Sequence, residues 1–108
     1  MSLANWPNEK RRVVVTGLGV ISPLGHTLAE TWKALLAGKS AAAPITLFDA
    51  KEYVTNFACE VRNFVPDAVV SSKDQRKMDR FIQLGLVASI QAWEDAGFKG
   101  RSRDHQGA

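Results

Sequence analysis

The sequence holds a single cysteine, Cys59, in 108 residues, which excludes an internal disulfide and any cysteine-built metal centre. Its two histidines, His26 and His105, are too few and too far apart in sequence to form a zinc site. No metal and no cofactor is therefore expected, and the sparse cysteine usage suits a reducing, cytoplasmic setting. Long apolar runs are also missing: no stretch approaches the ~20 residues needed to cross a bilayer, so no membrane partner is expected. Arg11 and Arg12 precede Val13-Val14-Val15, but that run stops at Thr16-Gly17, short of a secretory leader. Charge of one sign is not in large excess either. Fourteen basic against eleven acidic residues leave +3, concentrated in Lys10-Arg11-Arg12 and the last ten residues. That is weak ground for a nucleic-acid partner. No groove-reading motif or stacking aromatic accompanies the basic residues, so no nucleic acid is expected.

What is present is the composition of an ordinary globular domain, 45% hydrophobic and 23% charged. The length fits one small domain able in principle to bury about two-thirds of its unfolded surface. Residues 1–10 are polar, with Pro7 and two asparagines, and read as a disordered lead-in. Arg12–Thr16 is a β-branched run, and its continuous apolarity predicts a strand buried on both faces. Gly17–Gly25 reads as a turn-rich connection. Thr27 to Glu30 has the capping-box pattern and opens a helix carrying Leu28, Thr31, Trp32, Leu35 and Leu36 near one face, with Gly38 as its stop. Ser40–Val54 reads as an irregular surface loop. Phe57, Cys59 and Val61 alternate with Ala58, Glu60 and Arg62, which predicts a half-buried strand. Ser72 to Gln75 repeats the capping chemistry, and the spacing predicts one long helix from Ser72 to Ala96, stopped by Gly97. Its C-terminal half is apolar almost all round, as in a helix buried within something larger. No internal repeat is found.

Few residues offer chemistry. Gly17-Leu18-Gly19 after a strand suggests a dinucleotide loop, but position 22 is Ser where a third glycine is needed, and Pro23 follows. Close backbone packing is the better reading of these glycines. A reactive cysteine needs a histidine, a cation or a helix N-terminus to lower its pKa. Cys59 stands in an alternating strand beside Phe57 and Val61, where a small buried hydrophobe is expected. His26 and His105 read as ordinary loop or tail residues. Lys73, Arg76, Lys77 and Arg80 recur at i, i+3, i+4 and i+7, one stripe on the predicted helix. The stripe is either a solvated face, partly compensated by Asp74 and Asp79, or a docking surface for an anionic partner. Cations near a helix N-terminus oppose its dipole, so helix stability does not account for them.

Five segments in order and spacing carry a resemblance: RRVVVTGLGVISPLG (Arg11–Gly25), TWKALLAGKS (Thr31–Ser40), LFD (Leu47–Asp49), FACEV (Phe57–Val61) and SSKDQRKMDRFIQ (Ser71–Gln83). Together they resemble the start of the β-ketoacyl-[acyl-carrier-protein] synthases, nearest the synthase II type of fatty-acid elongation, over residues 11–98. Residues 99–108 are polar and depart from the family pattern. The resemblance implies an α/β, thiolase-like fold of five alternating layers, αβαβα, of which this chain would supply an N-terminal β-α-β-α portion. It further implies a homodimeric acyltransferase that condenses acyl groups with malonyl-acyl carrier protein through a cysteine, two histidines and a lysine. None of those catalytic residues can be matched here, and Cys59 falls on an ordinary strand position. The chain alone is therefore expected to be inactive. Lys73, Arg76 and Lys77 match positions through which such synthases dock the acidic acyl carrier protein, and Arg80 extends the stripe. An alternative is a non-catalytic module that binds acyl carrier protein, which would have to do so as an isolated, folded chain.

Overall fold

The computed structural model describes residues 10–98. Apart from Lys10, the predicted lead-in and the polar tail lie outside them. The first helix, α1 (Leu28–Leu36), begins where the capping box predicts. Thr27 is extended and its hydroxyl accepts the Glu30 amide at 3.2 Å, while the Glu30 carboxylate reaches back to the His26 amide at 2.9 Å. One of the helix's orphan donors, and the amide of the turn before it, are thereby satisfied. At the other end Gly38 takes φ 69°, its amide donates to Leu35 O, and the Lys39 amide donates to Ala34 O. These are the two bonds of a Schellman stop.

After α1, β1 (Ala42–Pro44) pairs antiparallel with β2 (Phe57–Cys59), with Ala42 opposite Cys59 and Pro44 opposite Phe57. The strand β1 lies in the stretch read as irregular loop. The predicted alternation of β2 is present but its faces are exchanged: Ala58 and Glu60 turn inward, and Phe57 and Cys59 are exposed. Cys59 is thus not the small buried hydrophobe the pattern predicts. The inversion follows from hydrogen bonding. The Glu60 carboxylate accepts from the Thr46 amide and hydroxyl and from the Leu47 amide, donors that the short ladder leaves over. A buried acceptor with several donors settles this short strand's orientation where no second layer rewards apolar burial.

The predicted long helix is two. Ser71, one residue earlier than expected, caps α2 (Ser72–Gln75), accepting the Asp74 amide at 3.2 Å and donating to the Asp74 carboxylate at 2.7 Å. The chain then turns through Arg76–Met78, and Asp79, extended at ψ 157°, precedes α3 (Arg80–Asp95). Gln83 explains the break: its side-chain amide donates to the carbonyls of Gln75 and Met78, at 3.1 and 3.3 Å. It supplies a donor to Met78 O and a second one to Gln75 O where the ladder is interrupted. The α3 helix ends at a second Schellman stop, with Gly97 at φ 85° and Phe98 stacked on Trp93 at 4.6 Å.

Residues 17–20 run along α3. A Cβ on Gly17 would come within 2.3 Å of Ala92 O, and one on Gly19 within 2.0 Å of Ala88 O. The Leu18 amide donates to Asp95 at 2.9 Å and the Val20 amide to the Gln91 side chain at 3.2 Å. The glycines therefore serve close packing, as expected. The strand predicted at 12–16 does not form, and Val13, Val14 and Val15 are 92, 71 and 79% exposed. A strand apolar on both faces needs paired neighbours and covering layers, and the described residues supply neither beside it. Among them only Ala50 and Val70 are buried hydrophobics, while Trp32, Leu35, Leu36, Phe57, Phe81 and Trp93 lie open. The outline is of secondary structure laid out with its apolar faces uncovered.

Candidate functional site

The basic stripe does not lie on one helix. Lys73 belongs to α2, Arg76 caps its C-terminus, Lys77 follows in the turn, and Arg80 opens α3. Lys73, Arg76 and Lys77 are exposed, and among the described residues none makes an ion pair or a side-chain hydrogen bond. Neither acidic neighbour forms an ion pair with them: Asp74 accepts from the Ser71 hydroxyl, and Asp79 pairs with no cation among the described residues. The three form a set of exposed, unpaired cations around one turn of chain.

Arg80 is set apart. Its guanidinium donates to the Val61 carbonyl at 2.8 Å and lies over the Phe64 ring, 5.9 Å from its centre. The same ring makes a T-shaped contact with His26, with centroids 5.9 Å apart at 88°. The His26 Nε2 contacts the Arg62 carbonyl at 2.8 Å, so this nitrogen carries the proton, because a carbonyl can only accept. The His26 carbonyl in turn accepts the Gln91 side-chain amide at 2.6 Å. His26 lies in a bend, as expected, and there it joins the start of α1, the exit of β2 and the C-terminal half of α3. His105 lies outside the described residues.

Beside this joint a cleft of about 400 Å³ is lined by Thr46, Leu47, Glu60, Arg62, Phe64 and Arg80 among others. Burial pushes the Glu60 carboxyl upward, but the hydrogen bonds from Thr46 and Leu47 and the charge of Arg62 outweigh it, and its pKa lies below the ordinary 4.5. The Arg62–Glu60 contact at 3.4 Å is the one ion pair among the described residues. A lowered carboxylate pKa stabilises the fold above the unfolded value, and that contribution is lost as pH falls through the folded value. The Thr46 and Leu47 amide resonances should thus titrate together with a midpoint below 4.5, and Glu60→Gln should abolish the transition. A midpoint at or above the ordinary value would contradict the arrangement.

Pattern reading passed over Glu60 because its place in the alternation assigned it to solvent. The signal within reach was the pair Thr46-Leu47, whose amides no strand partner accounted for. Cys59 makes no side-chain hydrogen bond, stands at no helix N-terminus and has no base beside it, so it lacks what would activate a thiol. No cluster of metal-ligating side chains occurs among the described residues.

The sequence profile described as "Beta-ketoacyl synthase, N-terminal domain" matches residues 10–108. The chain belongs to the β-ketoacyl synthase family. The 3-oxoacyl-[acyl-carrier-protein] synthase 2 of Coxiella burnetii is 54% identical over 91 residues, which is 84% of this chain and 22% of that protein. The enzyme of the same name from Vibrio cholerae is 52% identical with the same coverage. That from Synechocystis is 44% identical over 88 residues, 82% of this chain and 21% of the relative. A solved structure, the ishigamide ketosynthase/chain length factor, matches with a TM-score of 0.70 at 43% identity, over 81% of this chain and 22% of that one. This β-ketoacyl synthase chain thus spans about a fifth of the length of the curated relatives it matches. Its fold is a partial one of the α/β, thiolase-like class, with the order α-β-β-α-α among the described residues in place of the expected β-α-β-α.

Proposed function

We propose that this chain is the N-terminal part of a 3-oxoacyl-[acyl-carrier-protein] synthase of the fatty-acid elongation type, and that Lys73, Arg76 and Lys77 are where acyl carrier protein docks. The observation that carries the docking reading is the set of three exposed cations on α2 and the following turn, with no ion pair among the described residues. Unpaired like charges close in sequence repel one another and gain from an anionic partner. They raise encounter rates and fix the docking register more than they add raw affinity. The condensing chemistry, a homodimeric assembly and a cytoplasmic setting belong to the same proposal. No helix among the described residues is long and apolar enough to cross a membrane.

The test is charge reversal at Arg76 and Lys77 in a full-length synthase carrying residues 10–98 of this chain. Two reversed charges should weaken acyl-carrier-protein binding about tenfold or more at low salt, and the loss should shrink as screening shortens the reach of exposed charges. Equal affinity of parent and variant at low ionic strength would return the stripe to a solvated face. The open apolar faces of α1 and β2 weigh against the alternative of a self-sufficient carrier-binding module.

A further inference from the structure

Val61 and Arg62 are consecutive, and their carbonyls are taken by side chains from different elements. Arg80, the first residue of α3, takes Val61 O at 2.8 Å. His26, from the turn before α1, takes Arg62 O at 2.8 Å. Asn63, left-handed at φ 57°, then turns the chain so that Phe64 lies against both His26 and the Arg80 guanidinium. The docking segment 73–77 ends three positions before Arg80. It is fastened upstream by Gln75, whose side-chain amide reaches Asp67 at 2.6 Å and Val70 O at 2.9 Å. Downstream, Gln83 holds the carbonyls of Gln75 and Met78, but Gln83 is itself part of α3. The hold of that helix's first turn on the β2 exit passes through Arg80.

We propose that Arg80 is a positioning residue for carrier docking, fixing the turn that displays Arg76 and Lys77 by clasping the Val61 carbonyl and the Phe64 ring, and is not itself one of the docking cations. The inference rests on the docking reading given above. A guanidinium suits the role because its planar fork hydrogen-bonds at one edge while its charge lies over an aromatic face. Methionine would keep the length of the side chain and lose both interactions. Lysine would keep the charge near the ring and one donor.

The experiment uses a full-length synthase carrying residues 10–98, with Arg80→Met and Arg80→Lys compared against the parent. With a carrier-borne acyl substrate, Arg80→Met should raise KM about fivefold at unchanged kcat, the pattern of lost uniform binding. A small acyl thioester without a carrier protein should show no change, and Arg80→Lys should recover most of the loss. The salt dependence of carrier binding should keep the parent's slope, because no docking charge is removed. Amide exchange at Lys77 and Met78, whose N–H groups bond to Asp74 O and Gln75 O, should quicken in Arg80→Met alone. A shallower salt slope with exchange unaltered would overturn the proposal and make Arg80 a direct contact. A fall in kcat, or a KM rise on both substrates, would overturn it in favour of a general structural role. If reversing Arg76 and Lys77 leaves carrier binding intact, the docking reading fails. Exchange at Lys77 and Met78 still reports whether Arg80 holds the turn.

Discussion

Purified on its own, the chain should show a largely helical far-UV circular dichroism spectrum, a broad thermal transition and self-association in sedimentation. Local hydrogen bonds favour helix in both segments, the Thr27 cap and Gly38 stop in α1 and the Gly97 stop in α3, and they act without a core. Cooperativity needs buried apolar surface, and only Ala50 and Val70 among the described residues provide it. The two-stranded ladder of three residues per strand is too small to stand alone. A compact two-state domain of this size would melt with an enthalpy of about 60–80 kcal/mol. The chain's van't Hoff value should fall well below that. Val13–Val15, the apolar face of α1 and the outward Phe57 and Cys59 form surface that water does not tolerate in large patches. A sharp two-state melt at monomeric mass would show that the chain closes its own core, and would revive the binding-module alternative.

Gly19→Ala should be among the most damaging single-methyl changes available. Its new Cβ would meet Ala88 O at 2.0 Å and Ala92 N at 2.7 Å, both backbone atoms of α3 that no rotamer change can move aside. Residues 17–20 would have to lift from the helix, taking with them the Leu18–Asp95 and Val20–Gln91 bonds. Forced overpacking against a backbone, with lost hydrogen bonds added, costs about 3 kcal/mol or more. In a full-length synthase carrying this segment, the thermal midpoint and soluble yield should fall sharply. Gly85 provides the contrast: nothing lies within 4 Å of its Cβ position in this structure. A midpoint for Gly19→Ala within a degree of the parent would mean that the segment does not rest on α3.

The parts of this fold that sequence reading reached are those determined within a few residues. The Thr27–Glu30 box and the glycine stops at 38 and 97 are local hydrogen-bond arrangements, and each lies where the pattern placed it. Gly17 and Gly19 were legible as packing glycines because their spacing failed the nucleotide fingerprint. The parts that eluded pattern depend on what lies across space. The Arg12–Thr16 run has strand composition, but pairing is a property of two segments, and no second segment lies beside it here. The exchanged faces of β2 follow from the Glu60 carboxylate, whose donors are thirteen and fourteen residues away. The break between α2 and α3 depends on Gln83 reaching back eight residues to Gln75 O, a contact that helical periodicity does not encode. The docking stripe was legible as a charge pattern. Arg80's separation from it was not, since that required Val61 and Phe64 in space.

The bonds that seat residues 17–20 on α3 join positions 71 and 77 apart in sequence. A ribosome makes the glycine segment early and its seat late. Throughout the interval the nascent chain carries Leu18 and Val20 amides with no acceptor of their own, next to three uncovered valines. Closing so large a loop is slow relative to forming α1, whose bonds span three or four residues. Emergence of this sequence therefore passes through a stage in which a capped helix trails a sticky, unpaired leader. At that stage the exposed valines and unpaired amides are the surface through which such a chain would self-associate.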